Sequence, residues 1–117
     1  MKRIAINGFG RIGRLTFRNL LLLDNVQVVA INDLTDIRTL THLLKHDSAQ
    51  GAFDGSAEVG DGCIVVNGQA VTVTSEPRPL DLPWQAMKVD LVIECTGLFT
   101  DQATLDQHLQ AGAGKVL

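Results

Sequence analysis

The sequence has no long hydrophobic run, since no unbroken apolar stretch exceeds the four residues of Leu20–Leu23. A transmembrane helix needs about 20 apolar residues, and the core of a signal peptide at least about 7. The formal net charge is only −3, which gives no indication of nucleic-acid binding. We therefore expect a cytoplasmic protein with no membrane partner and no nucleic-acid partner.

Cysteine and histidine are scarce, and their positions exclude the common metal and disulfide frameworks. Cys63 and Cys95 are the two cysteines, which lie 32 positions apart and form no CxxC pair. His42 and His46 have the i, i+4 spacing of a helix but lack a third ligand nearby. We expect these histidines to lie on a solvated helix face, and we predict no metal site.

The basic residues are concentrated at the start of the chain, where five of the ten precede the first acidic residue, Asp24. A basic, acid-poor start is also found in organelle transit peptides. Here the strand-like segment RIAIN, at 3–7, and the glycines that follow it favour a folded basic segment instead.

Apolar segments rich in β-branched residues predict buried strands. The segment 57–74 alternates short strands with turn signals, and Asn67-Gly68 within it is a strong hairpin signal. All three prolines fall in 75–83, which is therefore predicted to be a loop. The buried strands are predicted at 3–7, 26–32 and 89–95, and the final residues KVL begin another.

Three segments have the apolar spacing and the end signals of helices. They are expected at 10–23, at 36–46 with Asp36 as N-cap, and from Thr100 or Asp101 to Gln110. In the last of these helices, Leu105 and Leu109 are predicted to face inward and Gly112 to end the helix. A single helical turn is also predicted over Trp84–Met87.

The alternation of apolar strands with helices indicates one domain of the α/β class. Such βαβ units form a mostly parallel sheet with right-handed crossovers and helices on both faces. Ligands of open α/β sheets bind outside the carboxyl ends of the strands. The loops after Asn7, after Asn32 and after Cys95 are therefore the expected ligand site.

The segment INGFGRIGR contains a G-x-G-x-x-G motif formed by Gly8, Gly10 and Gly13. The motif follows a predicted strand and opens a predicted helix. Asp33, at the end of the next predicted strand, lies 20 residues after Gly13. Dinucleotide-binding sites combine these three features. Gly8 would allow the tight turn, Gly10 would let backbone N–H groups reach the pyrophosphate, and Gly13 would let the helix pack closely. The helix N-terminus would favour the phosphates.

Charged residues near the motif refine this hypothesis. Arg11 lies in the first helical turn, where it would add to the positive field. Arg14 and Arg18 lie further round the helix. Two positions fit them equally well, one that adds to the positive field and one on the solvated surface. The Asp33 carboxylate would accept hydrogen bonds from ribose hydroxyls and repel a 2′-phosphate, which favours NAD over NADP as the cofactor.

Five segments in this order and spacing resemble the amino-terminal part of the cofactor domain of phosphorylating glyceraldehyde-3-phosphate dehydrogenases. They are INGFGRIGR, VVAINDL, LLKHDSAQG, VDLVIECTGLFT and AGAGKVL. The resemblance implies that residues 1–117 form a truncated Rossmann-type NAD-binding domain, with the catalytic domain absent from this chain. It implies a homotetrameric parent enzyme that oxidises an aldehyde phosphate with NAD and inorganic phosphate through a cysteine thioester.

The resemblance also implies roles for individual residues. Arg11 and Ile12 would contact the cofactor through the glycine turn, and Asp33 would bind the adenosine ribose. Thr96, Gly97 and Phe99 would line the cofactor from the loop after the third buried strand. The family places a basic residue near the adenine, where this chain has Pro77, with Arg78 one position later.

No catalytic residue is predicted within the chain. Cys95 lies at the cofactor end of a strand, but no adjacent histidine or other base would lower the pKa of its thiol. Cys63 falls in the hairpin region. We interpret both cysteines as structural, since the family's nucleophile belongs to a later motif, and we expect the fragment alone to be inactive.

Two further functions fit the same motifs. Erythrose-4-phosphate dehydrogenases share them, although Asp33 favours the glyceraldehyde-3-phosphate enzyme because the relative more often has glutamate there. A stand-alone dinucleotide-binding module, such as a redox-sensing regulator, is the alternative that is not an enzyme. The final segment AGAGKVL stops inside a predicted strand, which predicts an exposed strand edge, self-association or marginal stability.

Overall fold

A seven-stranded, mostly parallel sheet forms the centre of the computed structural model, which describes residues 1–47, 51–53, 55–97 and 102–117. The strand order is β5-β6-β7-β2-β1-β8-β9, and a separate antiparallel pair joins β3 to β4. The strands are β1 Lys2–Asn7, β2 Val26–Asn32, β3 His46–Asp47, β4 Gly51–Ala52, β5 Ala57–Val59, β6 Cys63–Val66, β7 Gln69–Thr74, β8 Leu91–Glu94 and β9 Lys115–Val116. The helices are α1 Arg11–Leu20, α2 Ile37–Lys45 and α3 Gln102–Gln110, and a 3-10 turn spans Pro79–Asp81.

The parallel part of the sheet contains β7, β2, β1, β8 and β9. From β1 the chain first passes to β2 on one side, and it later returns to β8 on the other side. The connections therefore leave the end of β1 in opposite directions, which is the place where open α/β sheets bind their ligands. This arrangement confirms the predicted α/β class.

Apolar residues cover both faces of the sheet. One cluster includes Phe17 of α1 and Leu40 and Leu44 of α2, packed on β1, β2 and the hairpin strands. The other includes Trp84 and Leu82 on the opposite face, with Ala113 from the segment after α3. Helices or turns thus pack on both faces, as the sequence pattern predicted.

The hairpin and the N-cap of α2 form where local chemistry predicted them. β6 and β7 are antiparallel and are joined through Asn67 and Gly68, which have φ angles of 51° and 84° as in a type I′ turn. The Asp36 carboxylate accepts a hydrogen bond from the Thr39 N–H at 2.9 Å and caps α2.

Two predictions about helices were wrong in detail. Helix α1 ends at Leu20 rather than at 23, because Leu22 and Leu23 donate to carbonyls three residues back in turn geometry. In α3 the fully buried side chain is His108, whereas Leu109 is 44% exposed and Leu105 is half-buried. Hydrogen bonds satisfy the imidazole of His108, so a polar side chain takes the inward position. The predicted cap at Thr100 or Asp101 lies outside the described residues.

The described helices are short. The longest helix in the described ranges has 10 residues, and none of these helices is long and apolar enough to span a membrane.

Candidate functional site

A cavity of about 350 Å³ lies at the carboxyl ends of the parallel strands. The loops after Asn7 and Asn32 and the start of the loop after β8 all contribute to its walls, as the strand pattern predicted. This volume lies within the range of small-molecule sites. The lining residues are Asn7, Gly8, Gly10, Asn32, Asp33, Leu34, Glu76, Pro77, Cys95 and Thr96.

The glycine turn after β1 is packed tightly on one side and open on the other. Gly8 has φ +95°, and a Cβ there would lie 2.8 Å from the Thr96 nitrogen. A Cβ on Gly13 would lie 2.1 Å from the carbonyl oxygen of Gly8, so any side chain there would force α1 away from the turn. A Cβ on Gly10 would meet no atom within 4 Å, since this residue borders the cavity.

The first turn of α1 presents backbone donors beside the cavity. Gly10 is the N-cap and has no side chain to cap the helix. The first intrahelical hydrogen bond runs from the Arg14 N–H to the Gly10 carbonyl, at 2.9 Å. The N–H groups of the first turn of an α-helix point out of its N-terminus, and with the helix dipole they favour an anion such as a phosphate.

Asp33 joins the glycine turn to the end of β2. One carboxylate oxygen accepts the Phe9 N–H at 2.7 Å, and the other accepts the Thr35 N–H at 2.9 Å. A carboxylate has about four acceptor sites, so each oxygen retains capacity for a ribose hydroxyl. Asp33 lies in the cavity wall with Gly8 and Gly10, so the structure brings the motif and the predicted ribose carboxylate together.

Of the other predicted cofactor residues, some line the cavity and others do not. Thr96 lines the cavity, and Gly97 follows it in an exposed position. Arg11 and Ile12 are exposed in the first turn of α1, outside the residues that line the cavity, and Ile12 is 69% exposed. Phe99 lies outside the described residues.

The basic side chains near the site make local contacts. The Arg78 side chain is 67% exposed and lies 3.8 Å from the Asp81 carboxylate, while its neighbour Pro77 lines the cavity. Arg14 donates to the Phe9 carbonyl at 3.1 Å, and Arg18 donates to the Leu44 carbonyl at 2.5 Å. Arg14 therefore supports the glycine turn from behind, and Arg18 ties α1 to α2.

A row of hydrogen-bonded polar side chains beneath the cavity is the feature that sequence reasoning missed. Asn7, Asn32, Thr74 and Glu94 are the last residues of four adjacent parallel strands, β1, β2, β7 and β8, and they are paired in register across the sheet. A polar residue that ends an apolar strand, as in RIAIN and LVIE, was the signal available in the sequence.

Glu94 receives several hydrogen bonds in this row. One carboxylate oxygen accepts the amide of Asn7 at 2.8 Å and lies 2.7 Å from Nε2 of His108. The other accepts the hydroxyl and the backbone N–H of Thr96, at 2.7 and 3.2 Å. Burial raises the pKa of the Glu94 carboxyl, but the hydrogen bonds from His108, Asn7 and Thr96 outweigh burial and hold the pKa below its ordinary value.

The environment of Cys95 makes it a poor nucleophile. Burial raises the pKa of the Cys95 thiol, a hydrogen bond with Thr16 opposes the change, and the negative charge of Glu94 raises it further. A thiol with a raised pKa stays protonated at neutral pH and reacts slowly. His42 and His46 pack ring to ring, 4.9 Å between centroids, and no metal-binding cluster is found among the residues that the structure describes.

The residues present fit a dinucleotide. Gly10 leaves space at the mouth of the cavity, the first turn of α1 supplies donors for a pyrophosphate, and the Asp33 carboxylate faces the same space. Leu34 and Pro77 add apolar surface of the kind that a base contacts. Together these groups would bind the adenosine and pyrophosphate parts of NAD.

Comparison with known proteins assigns the family. Residues 2–102 match the family model described as glyceraldehyde 3-phosphate dehydrogenase, NAD binding domain. The chain is 53% identical over 117 residues to the glyceraldehyde-3-phosphate dehydrogenase of Clostridium acetobutylicum, covering 100% of this chain and 35% of that protein. It is 50% identical to the enzyme of that name from Thermotoga maritima, over 119 residues, covering 100% of this chain and 36% of the relative. The chain thus spans about a third of the length of its relatives, and it belongs to the family of the NAD-binding domain of glyceraldehyde-3-phosphate dehydrogenase.

Proposed function

We propose that this chain is the NAD-binding part of a dehydrogenase that oxidises glyceraldehyde 3-phosphate with NAD and inorganic phosphate to 1,3-bisphosphoglycerate. The observation that carries the proposal is the Asp33 carboxylate bound to the Phe9 N–H inside the glycine turn. This contact supports the proposal because it joins the carboxylate proposed to accept the ribose to the turn proposed to bind the pyrophosphate. Bound NAD supplies the hydride acceptor for the aldehyde oxidation.

The residues of this chain would bind and orient the cofactor. The backbone of Gly8, Gly10 and Gly13 and the first turn of α1 would hold the pyrophosphate. Asp33 would bind the adenosine ribose, and its charge would repel the 2′-phosphate of NADP. Further cofactor contacts are assigned to Arg11, Ile12, Arg78, Thr96, Gly97 and Phe99.

The chemical steps are assigned to residues outside this chain. A thioester mechanism needs an activated thiolate, a base and cationic groups for the substrate phosphate. The raised pKa of Cys95 supports a structural role for it, and the coverage of about 35% leaves most of the relatives' length for the catalytic machinery. The parent protein is proposed to be a cytoplasmic homotetramer.

Calorimetric titration of the purified chain with NAD, ADP-ribose and NADP tests the proposal. Because the proposed contacts are to the adenosine and pyrophosphate parts of the cofactor, NAD and ADP-ribose should bind within about threefold of each other. NADP should bind about tenfold more weakly than NAD, and Asp33→Ala should reduce that difference. Asp61→Ala, which removes an exposed carboxylate in the hairpin region, should leave it unchanged.

The same preparation should form no NADH from glyceraldehyde 3-phosphate and inorganic phosphate. Equal affinity for NAD and NADP would remove the ribose argument. Turnover that disappears in Cys95→Ser would make Cys95 the nucleophile and contradict the assignment of chemistry to the rest of the protein.

A further inference from the structure

We propose that Glu94 is a positioning residue for cofactor binding, which holds both sides of the cavity because its carboxylate is the shared acceptor of converging hydrogen bonds. This inference rests on the proposed function, because the ligand that the cavity would receive is NAD. Glu94 does not line the cavity, whereas its partners Asn7 and Thr96 do. Its effect on the ligand would therefore pass through those partners.

The direction of these hydrogen bonds is set at the β7 side by a backbone group. The Glu76 N–H can only donate, and it lies 2.9 Å from Oδ1 of Asn32, which therefore accepts. The amide nitrogen of Asn32 then donates to the Glu76 carbonyl at 2.9 Å and to Oδ1 of Asn7 at 2.7 Å. The Asn7 amide nitrogen is left to donate to Glu94, at 2.8 Å.

The direction is set independently from the opposite face of the sheet. The indole Nε1 of Trp84 can only donate, and it lies 3.0 Å from Nδ1 of His108, which must accept. The ring proton of neutral His108 is then on Nε2, which donates to Glu94 at 2.7 Å. The Glu94 carboxylate is therefore the acceptor at which the two chains of donors meet.

Glu94 also controls the cavity wall after β8. Both the hydroxyl and the backbone N–H of Thr96 donate to the carboxylate oxygen that does not bind Asn7. The chain of bonds thus runs from Thr96 on one side of the cavity to the Glu76 backbone on the other, across four strands or about 14 Å. An acceptor at Glu94 holds both sides in one arrangement before a ligand binds, which lowers the ordering cost of binding.

An uncharged amide at this position would disturb the whole row. In Glu94→Gln, one acceptor oxygen becomes an amino group that faces donors, either from Thr96 or from Asn7 and His108. The side-chain exposure of only 5% for Glu94 and 0% for His108 limits rescue by water. With the amino group toward Asn7 and His108, the Asn7 amide would lose its acceptor. With the amino group toward Thr96, the loop after β8 would lose its two hydrogen bonds to Glu94. In either orientation one side of the cavity would become less defined.

The experiment measures ADP-ribose affinity of Glu94→Gln in the 117-residue chain by calorimetry, at a temperature where wild type and variant are both folded. We expect an affinity loss of about tenfold, the effect of a lost hydrogen bond to a charged group. Glu58→Gln makes the same chemical change at an exposed hairpin position and should change affinity less than about twofold.

A second readout uses the wild-type protein and hydrogen exchange of the Thr96 N–H, which donates to Glu94. If Glu94 orders the cavity wall before a ligand binds, this N–H should exchange slowly in the free chain, and ADP-ribose should slow it little further. If Glu94→Gln does not fold, this measurement decides the question: slow exchange in the free chain supports the inference, and exchange that becomes slow only on binding overturns it.

The outcomes separate the two proposals. Wild-type binding with an unchanged affinity in Glu94→Gln would overturn the positioning role and leave the proposed function intact. Failure of the folded wild-type chain to bind ADP-ribose would overturn the proposed function, and this inference with it.

Discussion

The loops after β1 and after β8 meet at one cavity, but they are held by contacts of different range. The loop after β1 is shaped mainly within the first 33 residues, where Gly13 approaches Gly8 and Asp33 accepts the Phe9 N–H, and Gly8 also packs against Thr96. The loop after β8 depends on Glu94, whose partner Asn7 is 87 residues away and whose partner His108 lies on α3. A local motif thus forms one side of the site, and a buried long-range network forms the other.

This difference affects what each side tolerates. The glycine turn is limited by steric contact, so one methyl group added at Gly8 or Gly13 is enough to disrupt it. The network side is limited by the balance of donors and acceptors, so changes of charge matter more there than changes of volume. Substitutions on the two sides should therefore differ in their effects.

The largest effect is expected at Gly13. In Gly13→Ala the new Cβ would lie 2.1 Å from the Gly8 carbonyl oxygen, so α1 must move from the sheet. We expect the free energy of unfolding to fall by about 3 kcal/mol, as for severe overpacking, measured by urea denaturation.

Gly10→Ala is the matched control for that variant. A Cβ at Gly10 meets no atom within 4 Å, so stability should change by less than about 1 kcal/mol. ADP-ribose affinity should nevertheless fall, because the methyl group enters the cavity where the pyrophosphate is expected. Similar stability losses in the two variants would contradict the steric account of the turn.

The network side should lose stability in acid. The folded pKa of Glu94 lies below its ordinary value of 4.5, so its contribution is complete above about pH 4.5 and is lost as the pH falls through the folded pKa. The free energy of unfolding, measured from pH 7 to pH 3, should therefore decrease below pH 4.5.

The carboxyl of Asp36 also has a lowered pKa, because the backbone and side chain of Thr39 donate hydrogen bonds to it. Comparison of Glu94→Gln with Asp36→Asn separates the two contributions. A pH dependence that Glu94→Gln leaves unchanged would show that the carboxylate is not stabilised in the folded state.

A smaller effect is expected at the N-cap of α2, a second local feature. Asp36→Ala removes the acceptor for the Thr39 N–H and should lower the thermal midpoint slightly. Asp36→Asn retains a capping oxygen and should recover most of the loss. If Asn and Ala behave alike, charge rather than the hydrogen bond would explain the contribution of the cap.

The sequence predicted what short-range chemistry determines. The alternation of apolar strands with helices predicted the parallel sheet. The spacing of Gly8, Gly10, Gly13 and Asp33 predicted the side of the site that the loop after β1 forms. Asp36 and Asn67-Gly68 predicted a cap and a turn, because their effects extend over only a few residues.

The inward position of His108 could not be predicted in this way. Helical periodicity places leucines inward by default, and it contains no information about acceptors on a distant strand. The partners of His108, Glu94 and Trp84, become neighbours only after the sheet has formed. The same limit applies to the Asn7–Asn32 pair, whose residues end different strands.

Amide chemical-shift mapping with ADP-ribose tests the central claim most directly. In ¹H–¹⁵N spectra of the chain, the largest shifts should fall on Gly8, Gly10, Asp33 and Thr96, around the cavity at the carboxyl ends of the strands. Residues of the 57–74 hairpin region away from that edge, such as Asp61 and Asn67, should remain unchanged. Binding that instead shifts the hairpin and leaves the glycine turn unaffected would contradict the assignment of this cavity as the cofactor site.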